Sequence, residues 1–103
     1  MIKIEKEMVN ALTRRINWKS GNTEVKWHPK LGDTYSSVYL YDNHIADVYY
    51  GYCGNLIVRV NVDTLRAWPT PTTKSRLRAM QVDITTRKGE TTLTDGRGFE
   101  IVV

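Results

Sequence analysis

The stretch from Leu56 to Val62 reads Leu-Ile-Val-Arg-Val-Asn-Val and has the most regular alternation in the chain. Leucine and three valines alternate with Ile57, Arg59 and Asn61, so one side of an extended chain is wholly aliphatic. This pattern is typical of a β-strand with one face on a core and the other toward solvent. We therefore predict a strand over residues 56–62, to which neighbouring strands must pair.

The residues before this strand repeat the same period of two and predict an antiparallel meander. Pro29 to Ser36 is expected to form a loop, with Gly32-Asp33 at its tip. Asp42-Asn43 and Gly54-Asn55 are expected to form tight turns. The predicted strands of the meander cover 23–28, 38–41, 44–52 and 56–62.

Helices are predicted on both sides of the meander. Apolar residues spaced four apart, from Ile4 to Ile16, predict an amphipathic helix over 2–17. The prolines of Trp68-Pro69-Thr70-Pro71 are expected to end the pairing of strands. Thr72 or Thr73 is then expected to cap a short basic helix that ends near Met80. Its inward residues are then Leu77 and Met80.

The tail returns to period two and predicts three short strands, with turns at Lys88-Gly89 and Asp95-Gly96. The expected fold is α+β: an N-terminal amphipathic helix packed on a mainly antiparallel sheet, with a short basic helix inserted before the last strands. A length of 103 residues with 41% hydrophobic residues predicts one soluble domain over 1–103. No apolar run approaches the length of a membrane span, and no secretory signal opens the chain.

Cysteine and histidine usage argues against several kinds of chemistry. Cys53 is the single cysteine, so no intrachain disulfide can form and a reducing cytosol is expected. His28 and His44 do not form a metal-ligand spacing with it, and we expect neither a metal nor another cofactor. Cys53 thiol chemistry near His44, or a pair of carboxylates, is the less favoured enzymatic alternative.

The basic residues are distributed unevenly. The net charge is +4, and no acid lies between Asp63 and Asp83. An anion or an acidic partner is expected to bind there, at a helix start with hydroxyl donors, although an ordinary capped surface helix is an equally good interpretation. The predicted binding residues are Arg66, Thr70, Thr72, Thr73, Lys74, Arg76 and Arg78. A second acid-free stretch provides a secondary basic patch of Arg14, Arg15 and Lys19.

Tyrosines cluster in two adjacent predicted strands. Alternation places Tyr39, Tyr41 and Tyr49 opposite the apolar residues, so they are expected to form an exposed aromatic face. Such a face can stack single-stranded nucleic acid or contact a protein, and tyrosine is also simply a good strand former.

Four short patterns lie within about residues 1–80: Asn22-Thr23-x-Val25, Val38-Tyr39-Leu40, Asn43-x-Ile45-Ala46 and Trp68-x-Thr70-x-Thr72-Thr73-Lys74-Ser75-Arg76-Leu77. Together they resemble a family of small tailed-bacteriophage proteins. The resemblance departs at Tyr41-Asp42, where a His-Gly-like pair is expected, and it contributes no catalytic residues. It implies a viral origin and action in the cytoplasm of an infected bacterial host.

Two functions from different classes remain open. The first is a non-enzymatic phage protein that binds a host protein or protein–nucleic-acid complex through its basic surface, and inhibits or redirects that machine. The alternative is direct binding of single-stranded DNA or RNA, with cations on phosphates and tyrosines against bases. No membrane partner is expected, and the oligomeric state is left open, a dimer included.

Overall fold

The computed structural model describes residues 2–30, 33–51, 55–94 and 100–102. Within these residues, two antiparallel sheets, ordered β1-β2-β3-β4-β5 and β6-β7-β8, combine with three helices, which confirms the predicted α+β class. Along the chain the elements are α1 (Lys3–Arg14), β1 (Trp18–Ser20), β2 (Thr23–Lys30), β3 (Asp33–Leu40), β4 (Asn43–Tyr50), β5 (Leu56–Val60), α2 (Val62–Ala67), α3 (Pro71–Ala79), β6 (Asp83–Arg87), β7 (Glu90–Thr94) and β8 (Glu100–Val102).

The predicted N-terminal helix is present but ends earlier than residue 17. Arg15 adopts a left-handed conformation with φ of 55°, and its N–H donates to the carbonyl oxygen of Leu12 at 3.3 Å. This geometry ends α1 at Arg14. The buried face of the helix carries Met8, Ala11 and Leu12, whereas Ile16 lies beyond the helix and is 40% exposed.

The loop predicted over residues 29–36 is wrong at both ends, because β2 continues to Lys30 and β3 already begins at Asp33, while Gly32 of its predicted tip lies outside the described residues. Pro29 is tolerated inside β2 for a geometric reason. The N–H of Trp27 points away from β3 and donates to Oδ1 of Asn17 at 2.7 Å. The nitrogen of Pro29, two residues on, therefore points the same way, toward an edge that β1 does not reach, and no ladder bond is lost.

The turn between β3 and β4 is shifted by one residue from its predicted position. Tyr41 and Asp42 form it, with φ of 51° and 63°, and Asn43 already belongs to β4. Two successive residues with positive φ are typical of the tight turn that suits strand twist. The predicted Lys88-Gly89 turn is confirmed between β6 and β7. Tyr52, Gly54, the Asp95-Gly96 turn, Phe99 and Val103 lie outside the described residues.

Two elements were not predicted. The strand expected over 56–62 ends at Val60, and Asn61 then caps α2 by accepting the N–H of Thr64 at 3.3 Å. The three residues of β1 pair with the start of β2 across a turn at Gly21. The inward positions of Leu77 and Met80 are confirmed, since both are buried.

The core lies between the helices and one side of the five-stranded sheet. Val25 pairs with Val38 across β2 and β3, and Val48 lies two residues along β4 from Ala46, the partner of Val38. All three valines are fully buried in one cluster with Leu12 and Leu65. The residues that alternate with these valines therefore form the opposite side of the sheet. No helix in the described part of the chain is long and apolar enough to span a membrane.

Candidate binding surfaces

The basic helix α3 begins two or three residues earlier than predicted. Thr70 is the capping residue, since its Oγ1 accepts the N–H of Thr73 at 3.2 Å, and Pro71 occupies the first turn. A cap at Thr72 or Thr73 is therefore wrong. Proline suits this place because its missing N–H has no partner there in any helix.

Arg76 is buried, which corrects its assignment to a surface that binds an anion. Its Nη1 donates to Oε2 of Glu5 at 2.8 Å, and its Nε donates to Oγ1 of Thr23 at 3.0 Å. The side chain is 6% exposed. Arg76 therefore neutralises an acid of α1 inside the protein and cannot reach an external ligand.

The other cations of α3 contact the small sheet. Nζ of Lys74 donates to Oγ1 of Thr86 at 2.8 Å, and the guanidinium of Arg78 donates twice to the carbonyl oxygen of Ile84, at 3.2 and 3.0 Å. Both side chains thus hold β6 against α3. Arg66 is exposed in the last turn of α2.

The predicted threonines lie together, but the predicted cations of α3 do not line the same cavity. Thr70, Thr72 and Thr73 line a cavity of about 270 Å³ with Tyr41 and Trp68. The Thr70 hydroxyl already caps α3 and lies 3.0 Å from the hydroxyl of Thr73. The secondary basic patch is also divided: Arg14 is exposed, the Arg15 guanidinium lies 4.5 Å from the ring centre of Tyr50, and Lys19 points to the opposite side of the sheet.

The side of the five-stranded sheet that faces away from the helices is a surface of rings, hydroxyls and charges, which we call the outer face. Strand register arranges its residues in three rows that run across the strands. The rows are Lys19, Glu24, Tyr39 and His44; Lys26, Ser37, Asp47 and Arg59; and His28, Tyr35, Tyr49 and Ile57.

The third row is a ladder of stacked rings. His28 and Tyr35 have ring centres 4.6 Å apart at an interplanar angle of 27°, and Tyr35 and Tyr49 are 5.5 Å apart at 25°. Ile57 extends the row on β5 and is 52% exposed. Each ring covers a face of its neighbour, so ring edges and hydroxyl groups point toward solvent.

A β-bulge brings two further polar residues to the outer face. Val38 pairs with Ala46 and Tyr39 pairs with His44, so Ile45 is an extra residue in β4. In a regular strand, positions i and i+3 lie on opposite faces, but the extra residue places His44 and Asp47 on the same face. Their Nε2 and Oδ1 atoms are 2.7 Å apart.

Serine, histidine and aspartate therefore meet here, but not in the order of a nucleophilic triad. The hydroxyl of Ser37 donates to Asp47 at 3.0 Å, and Nε2 of His28 lies 3.1 Å from the same hydroxyl oxygen. Ser37 is only 4% exposed, and both ring nitrogens of His44 contact Asp47 or Asn61. The Ser37 hydroxyl thus has a carboxylate rather than an imidazole as its acceptor, unlike the serine of a triad. Cys53 lies outside the described residues.

The predicted aromatic face is only partly the observed one. Tyr39 and Tyr49 lie on the outer face, with Nζ of Lys26 4.8 Å from the ring centre of Tyr39. Tyr41 is 68% exposed, but it lies in the turn. Sequence reasoning missed Tyr35, because it fell in the predicted loop, and it did not assign Lys26 and Arg59, although both alternate with apolar residues in predicted strands.

Comparison with known proteins identifies a family. Residues 1–100 match the family model described as Kyanoviridae Gp96 protein. The resemblance to a phage family is thereby confirmed, and the match extends beyond the 80 or so residues on which it rested. No curated protein and no solved structure matches the chain.

Proposed function

Because the chain belongs to the Kyanoviridae Gp96 family of phage proteins, we propose that it is a non-enzymatic protein that binds a component of a host machine. That machine is a defence complex or a polymerase, which the protein inhibits or redirects in the cytoplasm of the infected bacterium. The proposed contact surface is the outer face of the five-stranded sheet, in place of the basic helix.

The observation that carries this proposal is the residue content of the outer face. It combines the tyrosine ladder with an exposed isoleucine and with the exposed cations Lys19, Lys26 and Arg59. Tyrosine and arginine are enriched among the few residues that contribute most of the binding energy in protein interfaces. The rows lie on paired strands, so the surface is ordered before a partner arrives.

The stacking of the rings favours a protein partner over nucleic acid. Bases of single strands stack on free aromatic faces. Tyr35 has a ring on either side of it, and Tyr49 lies between Tyr35 and Ile57. The ladder therefore presents ring edges and hydroxyl groups to a partner, and these groups can contact the side chains and backbone of a protein.

Charge supports an acidic patch on that partner. Lys26 and Arg59 lie at the two ends of the middle row, and the Asp47 carboxylate between them is already bonded to Ser37 and His44. Neither cation forms an ion pair with a described acid. An acidic surface would be attracted to them and oriented by them.

The test begins with purified protein as bait in a lysate of the host bacterium, followed by calorimetry with the purified partner. The double variant Lys26→Glu with Tyr35→Ala should weaken binding by about 100-fold, the loss of two central contacts of about 1.4 kcal/mol each. Both positions lie on β2 and β3, and circular dichroism verifies that the variant is folded.

Arg66→Glu is the matched control, because it reverses a charge of the basic segment and leaves the outer face intact. If the double variant keeps full affinity, or if only Arg66→Glu loses affinity, the outer face is not the contact surface. If purified protein instead binds single-stranded DNA or RNA with a steep dependence on salt, and the double variant abolishes that binding, the partner is nucleic acid.

A further inference from the structure

Strand β5 is the last strand of its sheet, and its backbone register shows which groups face the open edge. Asn61 N–H donates to the Ile45 carbonyl at 2.8 Å, and Gly51 N–H donates to the Asn55 carbonyl at 2.9 Å. Alternate residues of an antiparallel pair bond to each other, so residues 57 and 59 also bond toward β4. The N–H and C=O groups of Leu56, Val58 and Val60 therefore point outward, where the described residues supply no further strand.

This edge forms one wall of a groove. The groove has a volume of about 880 Å³, and all five residues of β5 line it. The other wall comes from the end of α3 and the small sheet, with Met80, Val82 and Leu93 as its apolar residues and Gln81, Asp83 and Thr94 as its polar ones. The side chains of Leu56, Val58 and Val60 are half-buried on the same side of the sheet as this wall.

We infer that the open edge of β5 binds an extended segment of a partner protein by strand addition, with apolar residues at alternate positions and an acidic residue beside Arg59. The outward N–H and C=O groups pair with the backbone of the segment. Every second side chain then points into the groove, and the others continue the rows of the outer face.

Cross-strand neighbours determine the expected sequence of the segment. An added strand places one outward residue beside Ile57 and another beside Arg59, since these two positions end their rows. Among the described residues Arg59 takes part in no ion pair. A carboxylate directly opposite a guanidinium stabilises a strand pair, whereas a like charge destabilises it.

A single segment fits better than a second copy of this chain. Two β5 strands paired antiparallel about Val58 would place each Arg59 opposite Ile57 of the other copy, so neither guanidinium would meet an acid. A second copy would also bring its whole sheet to the edge, whereas an extended segment needs only the groove of about 880 Å³ beside β5. This site shares Ile57 and Arg59 with the outer face but depends on the open backbone edge of β5. The variant Lys26→Glu with Tyr35→Ala leaves that edge intact, so the two proposals can fail separately.

The experiment uses isotope-labelled full-length protein and a capped seven-residue peptide that alternates valine with threonine and carries glutamate at the central outward position. Hydrogen exchange at the amides of Leu56, Val58 and Val60 should be fast in the free protein and slowed by at least about tenfold by millimolar peptide. The amides of Ile57 and Arg59 should be protected in both samples. A peptide with lysine in place of glutamate should bind more weakly by about tenfold.

Val58→Pro removes an N–H that points away from β4. The sheet can therefore accommodate the proline, but the open edge loses a hydrogen-bond donor. It should weaken peptide binding by about tenfold, and Val58→Thr, which keeps the N–H, should not. If Val58→Pro does not fold, Arg59→Glu serves instead, and it should reverse the preference between the two peptides. Unchanged amide exchange in the presence of peptide, or full affinity in folded Val58→Pro, would overturn the inference. Protection of the same amides in a dimer without peptide would overturn it in favour of a second copy.

Discussion

Arg76 and Glu5 form a buried ion pair, although most of the chain separates them in sequence. Nη1 and Oε2 are 2.8 Å apart, and the two side chains are 6% and 5% exposed. The Ser75 hydroxyl also donates to Glu5, and Nε of Arg76 donates to Thr23. The pair thus connects α1, α3 and β2 in one network, in which each charge has a partner.

Arg76→Met should lower the free energy of unfolding by about 3–5 kcal/mol, because it leaves the Glu5 carboxylate buried without its cation. The double variant Glu5→Leu with Arg76→Met should recover much of that loss, since it buries no charge. Urea unfolding measures both. Arg66→Met, an exposed position, is the control and should change stability by less than about 0.5 kcal/mol. Equal costs for Arg66→Met and Arg76→Met would show that the pair contributes nothing.

Tyr50 is the second long-range link, and its removal has a predictable cost. The phenol donates to the Leu12 carbonyl at 2.6 Å and lies 2.9 Å from the Ser36 hydroxyl. Tyr50→Phe should lower the free energy of unfolding by about 1–2 kcal/mol, because the Leu12 carbonyl loses its closer donor and keeps only the Arg15 N–H at 3.3 Å. Thermal unfolding with Tyr41→Phe as the control tests this, since Tyr41 is exposed in its turn. A loss of the same size in both variants would contradict it.

Tyr50 also predicts how stability depends on pH. Burial raises the pKa of Tyr50 above the ordinary value of 10.0, although Ser36 and Arg15 favour the phenolate. The folded protein therefore holds this proton more tightly than the unfolded chain. The resulting stabilisation is complete below the unfolded pKa and is lost as pH rises through the folded pKa. The stability difference between wild type and Tyr50→Phe should accordingly shrink above pH 10.0, and a constant difference in urea titrations would contradict the assignment.

The sequence predicts the elements that depend on local periodicity and misses those that depend on neighbours. The spacing of Met8 and Leu12 is sufficient to predict α1. The alternation around Val58 is sufficient to predict β5. The three residues of β1 are too few to show a period of two in the sequence. The strand forms because β2 lies beside it. Pro29 predicts a break, but the break does not occur because its nitrogen faces an unpaired edge.

The candidate site was harder to predict for the same reason. A charge count treats Arg76 as a surface cation, since nothing in the sequence relates it to an acid 71 positions away. Tyr39 and Tyr49 were placed correctly by alternation. The stacked ladder depends on the register between strands, which period alone does not determine. The bulge at Ile45 has no sequence signal that we can identify, yet it brings His44 to Asp47.

The turn of Tyr41 and Asp42 should be improved by glycine. Both residues have positive φ, which costs a residue with a side chain more than it costs glycine. Asp42→Gly should raise the free energy of unfolding by about 0.5–1 kcal/mol, because this turn favours glycine at its second position. Thr34→Gly, in the extended backbone of β3, is the control and should destabilise. Destabilisation by Asp42→Gly in urea unfolding would show that the turn is unstrained.

Asn61 joins the outer face to α2, and two substitutions separate its two contacts. Its Oδ1 accepts the Thr64 N–H at 3.3 Å, while its Nδ2 lies 3.5 Å from Nδ1 of His44. Asn61→Ala removes both contacts and should lower the free energy of unfolding by about 1 kcal/mol, the usual cost of a lost cap. Asn61→Asp keeps an oxygen for the cap and adds a negative charge at the helix start, so it should cost less. Urea unfolding at neutral pH compares the two. If Asn61→Asp is as destabilising as Asn61→Ala, the contact with His44, rather than the cap, is what holds α2 to the sheet.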